Sequence, residues 1–152
     1  YYTLRNIPSD LEKTGRRIVK AFDLKERFFH FEFFRTSENK IIALEVNMRP
    51  PGGLTTDMMN YANNIDVYRE WANVVVNNRF DDRFSWDYYC GYIGRKFNKR
   101  YAHSHLDIIS TLSEKIIQHT GINDVFSGAL GNYGYLVRSK KIDDIVYAAE
   151  YI

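Results

Sequence analysis

Residues 31–53 read FEFFRTSENKIIALEVNMRPPGG, and their pattern decides the fold. Phe29, Phe31 and Phe33 alternate with His30, Glu32 and Phe34. Ile42, Leu44 and Val46 alternate in the same way with Ala43, Glu45 and Asn47, the two-residue period of half-buried strands. Between them Ser37-Glu38-Asn39-Lys40 is polar and turn-forming, so the stretch predicts a β-hairpin. Pro50 and Pro51 end the second strand, and Gly52-Gly53 frees the backbone for a sharp turn.

A turn symmetric about Glu38-Asn39 sets Phe34 opposite Ala43, Glu32 opposite Glu45 and His30 opposite Asn47. The two carboxylates then share one side of the sheet. At about 5 Å they repel by roughly 3 kcal/mol at an effective dielectric of ~20. No stability argument keeps such a pair, but a hard divalent cation removes the penalty. Mg²⁺ takes oxygen ligands and leaves positions for water and phosphate. Asn47, two residues past Glu45, points to the same side, and so does Arg49 unless the prolines twist it away. One side thus offers Glu32, Glu45 and Asn47 as metal ligands and Arg49 as a fixed cation.

This arrangement resembles the C-terminal half of ATP-grasp domains. FHFEFF, a polar turn and IIALEVNMRPPGG are similar to the carbamoyl phosphate synthase, biotin carboxylase and other carboxylate–amine ligase branches, whose pattern is an acidic residue on one strand, then Glu-x-Asn-x-Arg followed by Gly. The match lies on Glu32, Glu45, Asn47, Arg49, Gly52 and Gly53, and it extends with decreasing clarity from Tyr1 to Val76. The resemblance implies that Glu32, Glu45 and Asn47 hold Mg²⁺ (or Mn²⁺) bridging ATP phosphates. Asn47, Gly52 and Gly53 would lie at the cofactor, and Arg49 would act catalytically on charge developing during reaction. It also implies ATP-dependent joining of a small carboxylate to an amine acceptor (or to a thiol or bicarbonate) through an acyl phosphate. Phosphoryl transfer, being mostly positioning and charge compensation, suits metal and guanidinium. A glycine-rich lid and phosphate-gripping lysines are not visible in the chain. A second reading therefore stands beside the ligase: a non-catalytic ATP-grasp-like module for nucleotide binding or oligomerisation.

Aromatic residues make up 16% of the chain, with 12 Tyr and 10 Phe, which supplies core and cleft wall. A net charge of +2 argues for neither nucleic acid nor an anionic membrane. The lone Cys90 excludes an intrachain disulfide, no apolar run approaches membrane-spanning length, and a reducing, cytoplasmic setting is expected. The first residue is Tyr1 rather than Met, and we expect a fragment of a longer ligase, inactive when isolated.

The expected fold is α+β: an antiparallel or mixed sheet with helices on one face, like an ATP-grasp C-terminal lobe, plus a small C-terminal α/β subdomain. The expected boundary separates residues 1–78 from 84–152, across the polar run NNRFDDRF. A strand is expected over Tyr1–Ile7, then a helix from Asp10 to about Asp23, with Ser9 and Glu12 as capping box and Leu11, Gly15, Ile18, Val19 and Phe22 inward. Thr55 or Thr56 caps a short helix. Asp66 caps another, with Tyr68, Trp71, Ala72, Val75 and Val76 inward. Further on come a strand over Asp87–Phe97, a Ser104-capped helix running through Ile116 to a Gly121 stop, a strand near Tyr135–Arg138 and a last helix from Ile142.

Other signals have blander readings. His30 reads as a packed strand histidine, with phosphate contact as the sharper alternative. His103 and His105 lack the partners a metal site needs, and Ser104 between them fits an N-cap. Arg95, Lys96, Lys99 and Arg100, with Tyr92 and Tyr101, read as a solvated strand end rather than a phosphate or nucleic-acid site. GALGNYG lacks phosphate-loop spacing and reads as a turn between strands, and Cys90 has no basic partner that would make it reactive. The tyrosines over Tyr88–Tyr101 offer a homodimer surface.

Overall fold

The computed structural model describes residues 1–152. In chain order the elements are α1 (Ser9–Ala21), β1 (His30–Arg35), β2 (Ile41–Asn47), α2 (Thr55–Asn63), α3 (Val67–Asn77), β3 (Tyr89–Arg95), α4 (His105–Thr111), β4 (Ile116–Gly121), α5 (Asp124–Leu130), β5 (Tyr133–Ser139) and α6 (Ile142–Tyr151). The class is α+β, and both sheets are antiparallel: β1-β2, and a three-stranded sheet ordered β3-β5-β4. No helix is long and apolar enough to cross a membrane.

The chain divides into two units. A hairpin unit comprises Asn6–Thr56 and Ile65–Phe84; a sheet unit comprises Tyr1–Arg5, Asp57–Asn64 and Ser85–Ile152. This differs from the expected cut between 78 and 84 in two segments. Residues 1–5 join the sheet unit because the Tyr92 amide donates to the Tyr1 carbonyl and the Thr3 amide to the Cys90 carbonyl, each at 2.8 Å. The Tyr1 and Tyr92 rings also stack at 5.0 Å. Only Tyr2 makes a ladder bridge, to Gly91, so the expected strand over Tyr1–Ile7 does not form as such. Residues 57–64 carry the buried Met58 and Ala62, and Tyr61 donates to Gln118 Oε1 of β4 at 3.2 Å.

In the hairpin unit, α1 lays Leu11, Gly15, Ile18 and Val19 half-buried, and Gly15 lies against the Phe31 ring. Phe31 meets the Phe29 ring at a tilt, 4.9 Å away, and the Phe33 ring edge-on at 5.9 Å, so the aromatic face of β1 meets the helix. The expected capping box is absent. Pro8 is the N-cap and Ser9 is already helical. Asp10 instead accepts the Leu11 amide and a forked pair from Arg35 at 2.7 and 3.1 Å, clamping the end of β1 to the start of the helix. This fork holds the Asp10 carboxyl down at about 2, below its ordinary 3.8. Because the folded value is lower than the unfolded one, the clamp stabilises fully above the ordinary carboxyl range and is lost as pH falls from about 4 to about 2. The Asp10→Asn variant should therefore lose the part of the acid-unfolding slope in that window, read by circular dichroism at graded pH.

Helix α3 presents a different face from the expected one. Asp66 does cap it, accepting the Arg69 amide at 2.9 Å. Yet Tyr68, Trp71, Val75 and Val76 are exposed, while Val67 and Glu70 are buried. The Glu70 carboxylate is fully enclosed, accepting from the Asp81 backbone amide at 2.7 Å and from Asn73 Nδ2 and Arg69 Nε at 3.3 Å each. It gathers the chain beyond the helix around itself, and this turns the polar stripe inward.

The core of the sheet unit holds Ile108, Leu112, Tyr135, Val137, Ile145, Ala148 and Ile152, with α6 packed on β3 and β5. Helix α4 is capped by Ser104 in a reciprocal box with Asp107, but it stops at Thr111 rather than at Gly121. Residues 116–121 are β-branched Ile116, Ile117 and Thr120 among others, and they form the edge strand β4 instead. GALGNYG is likewise not a plain turn between strands: Gly128, Ala129 and Leu130 close α5, and Gly131 at φ 86 leads into β5. Cys90 is fully buried in β3, and burial pushes its thiol up to about 12. Native protein should resist iodoacetamide at pH 8 and take up one equivalent only in denaturant; rapid native alkylation would mean that β3 opens readily.

Candidate functional site

The turn of the hairpin is built without glycine. Asn39 takes the left-handed conformation at φ 60, its amide donates to the Thr36 carbonyl at 2.9 Å, and the Lys40 amide donates to Thr36 Oγ1 at 3.1 Å. From there β1 and β2 pair in a register that changes once. Arg35 faces Ile41, Phe34 faces Ile42 and Phe33 faces Ala43; the register then shifts, and Glu32 faces Glu45, Phe31 faces Val46 and His30 faces Asn47. The expected Phe34–Ala43 pairing is thus corrected by a bulge that leaves Leu44 as the extra residue. The rungs beyond the bulge are the expected ones.

These rungs bring His30, Glu32 and Glu45 together, with one potential ligand atom from each lying within 4.8 Å of the others. Both carboxylates are exposed and neither is ion-paired with a lysine or arginine. Asn47 closes the group: its Nδ2 donates to Glu45 Oε1 at 2.6 Å and meets His30 Nε2 at 3.2 Å. On the other side of the imidazole, Nδ1 lies 2.9 Å from the Arg49 carbonyl. A carbonyl only accepts, so Nδ1 carries the proton and Nε2 keeps its lone pair turned toward Asn47 and the carboxylates.

The donor set fits a hard divalent cation. As placed, the Asn47 amide is a donor that compensates two lone-pair bearers. Turning the same amide over would set Oδ1 beside Glu45 Oε1, an arrangement that a cation favours and that repels without one. The imidazole adds a nitrogen ligand, already oriented through its far N–H as metal-binding histidines usually are. His30 is the residue that sequence reasoning passed over for this role. Its place opposite Asn47 in the register was the available signal.

Arg49 forms no ion pair with either carboxylate. Its Nη1 donates to the Pro50 carbonyl at 2.9 Å, which lays the guanidinium along the chain ahead of the glycines. Gly53 stands at φ 61, a conformation that favours glycine, and a Cβ on Gly52 would lie 3.9 Å from Arg49 Nη1. Thr56 Oγ1 donates to the Pro51 carbonyl at 2.7 Å and so ties this turn to α2.

No family model matches the chain, and no curated protein matches it in sequence. Solved structures do match in fold. The chain aligns over 99% of its length with the phosphoribosylaminoimidazole carboxylase ATPase subunit from Aquifex aeolicus, at 13% identity and a TM-score of 0.62, covering 47% of that chain. It aligns over 96% with phosphoribosylglycinamide synthetase from Anaerococcus prevotii, at 14% identity and a TM-score of 0.64, covering 41% of that chain. It also aligns over 95% with N5-carboxyaminoimidazole ribonucleotide synthetase from Thermotoga maritima, at 12% identity and a TM-score of 0.59, covering 41% of that chain. The chain shares the α+β, ATP-grasp fold of part of each of these structures and spans less than half the length of each.

Proposed function

We propose that the chain is the metal-binding portion of an ATP-dependent carboxylate–amine ligase that works through an acyl phosphate. One observation carries the reading: on an ATP-grasp fold, the β1–β2 register sets Glu32 against Glu45 with His30 and Asn47 alongside. Two carboxylates held this close, with no cationic side chain between them, suit a divalent cation shared with ATP phosphates.

In this reading Glu32 and Glu45 supply anionic oxygens, Asn47 supplies Oδ1 after its amide turns, and His30 Nε2 lends a further lone pair. Bound Mg²⁺ or Mn²⁺ would offset phosphate charge during transfer. Arg49 supplies the cation for charge developing on the acyl group, and Gly52 and Gly53 let backbone approach the cofactor closely. The imidazole favours Mn²⁺ over Mg²⁺, since nitrogen ligands suit the softer ion better.

Two arms test the proposal. With the chain itself, Mn²⁺ should broaden the NMR signals of His30, Glu32, Glu45 and Asn47 first, and Glu32→Gln with Glu45→Gln should remove that selectivity. In the complete ligase, Glu45→Gln should raise the metal requirement, and Arg49→Ala should lower kcat by roughly 10²–10³ with a smaller effect on ATP affinity. An Arg49→Ala enzyme with unchanged kcat and a raised KM for ATP would reassign the arginine to binding. Mg-ATP binding without ADP release on any carboxylate–amine pair would favour the non-catalytic module.

A further inference from the structure

An enclosed arginine stands in the sheet unit, at the end of β3. Arg95 is only 9% exposed and forms no ion pair. Its Nη2 donates to the His103 carbonyl at 2.6 Å, its guanidinium lies 4.0 Å over the Tyr101 ring, and its buried Nε has no hydrogen-bond partner. A guanidinium this enclosed and lacking a counter-ion is costly unless an anion reaches it. Arg95 lines a cavity of about 260 Å³ together with Lys96 and Lys99, and no acidic side chain takes part in the lining.

The remaining wall is made of rings: Phe97, Tyr101, Tyr133, Tyr135 and the His105 imidazole. Its tyrosines are held in place. The Tyr135 hydroxyl lies 2.8 Å from His105 Nδ1, the Tyr133 hydroxyl lies 2.7 Å from His119 Nδ1, and the two tyrosine rings sit 5.3 Å apart. Side-chain amides and carboxylates, the usual readers of sugar hydroxyls, are missing from this wall, and its volume is below the ~300–1,000 Å³ of sites for drug-sized ligands. A planar guanidinium fork matches a carboxylate, and fixed aromatic rings match a flat apolar body.

The geometry points to a binding site for a small organic carboxylate with a flat apolar body, gripped by Arg95 and Lys99 and packed on Tyr133 and Tyr135. This assignment does not depend on the ligase reading, because it is tested by binding alone.

The probe is benzoate, titrated into the chain by NMR and calorimetry, with neutral benzamide and inorganic phosphate as controls. Benzoate should saturate and shift signals of Arg95, Tyr101 and Tyr135, binding roughly tenfold or more tightly than benzamide because charge-assisted hydrogen bonds distinguish the two. Lys99→Gln, at an exposed position, should weaken benzoate several-fold while leaving the unfolding midpoint in place, and Arg95→Gln should remove saturation. If Arg95→Gln fails to fold, Lys99→Gln and benzamide still decide. Equal binding of benzamide, or no saturation by benzoate, would overturn the site. Phosphate binding as tightly as benzoate would overturn the apolar half of the assignment and leave a plain anion site.

Discussion

Gly94→Ala is expected to lower the unfolding midpoint by roughly 6–12 °C, the equivalent of about 3 kcal/mol in a chain of this size. A Cβ built on Gly94 runs into the Leu130 carbonyl oxygen, with the carbonyl carbon at 3.1 Å and Tyr92 Cε1 at 3.3 Å. None of these atoms can swing aside cheaply. The Leu130 carbonyl also accepts the Tyr92 hydroxyl at 2.7 Å, so any shift of β3 away from α5 breaks that bond as well. Gly128→Ala is the control. It sits inside α5 with nothing within 4 Å of a new Cβ, and alanine there should stabilise by about 0.5–1 kcal/mol through helix propensity. Equal midpoints for the two variants would mean that β3 and α5 are not packed as described.

The second large effect is at Glu70. Glu70→Ala should destabilise by about 3–5 kcal/mol, since it strands the Asp81 backbone amide and Asn73 Nδ2 around an empty pocket. Glu70→Gln keeps the shape and an acceptor for Asp81, and should cost about 1–2 kcal/mol through loss of the charge-assisted bonds. Urea unfolding separates these outcomes. A Glu70→Leu variant as stable as the parent would show that desolvation of the carboxylate cancels its hydrogen bonds.

These two positions also mark where sequence reading stopped. Alternation around residues 31–47 identified the hairpin, its turn and the Glu32–Glu45 rung, because a period of two and a polar turn are local properties. Ser104 and Asp66 were legible as caps for the same reason: each bonds an amide three residues ahead. The candidate cation site was legible through Glu32, Glu45 and Asn47. The contacts of His30 and Arg49 were not, since they depend on which carbonyl each side chain meets.

The sequence by itself determined the α+β class, the antiparallel hairpin and the side of it that gathers acidic residues. Only the tertiary structure decided the bulge after Glu32, the inward turn of Glu70, the end of α4 at Thr111 and the grouping of residues 1–5 and 57–64 with the C-terminal sheet. Periodicity ranks residues by polarity, and a fully hydrogen-bonded carboxylate such as Glu70 looks like a surface residue until its partners, 3 and 11 positions away, are in place. Backbone hydrogen bonding between residues more than 80 positions apart, as from the Thr3 amide to the Cys90 carbonyl, leaves no local trace in the sequence, because the groups that form it are the same in every residue.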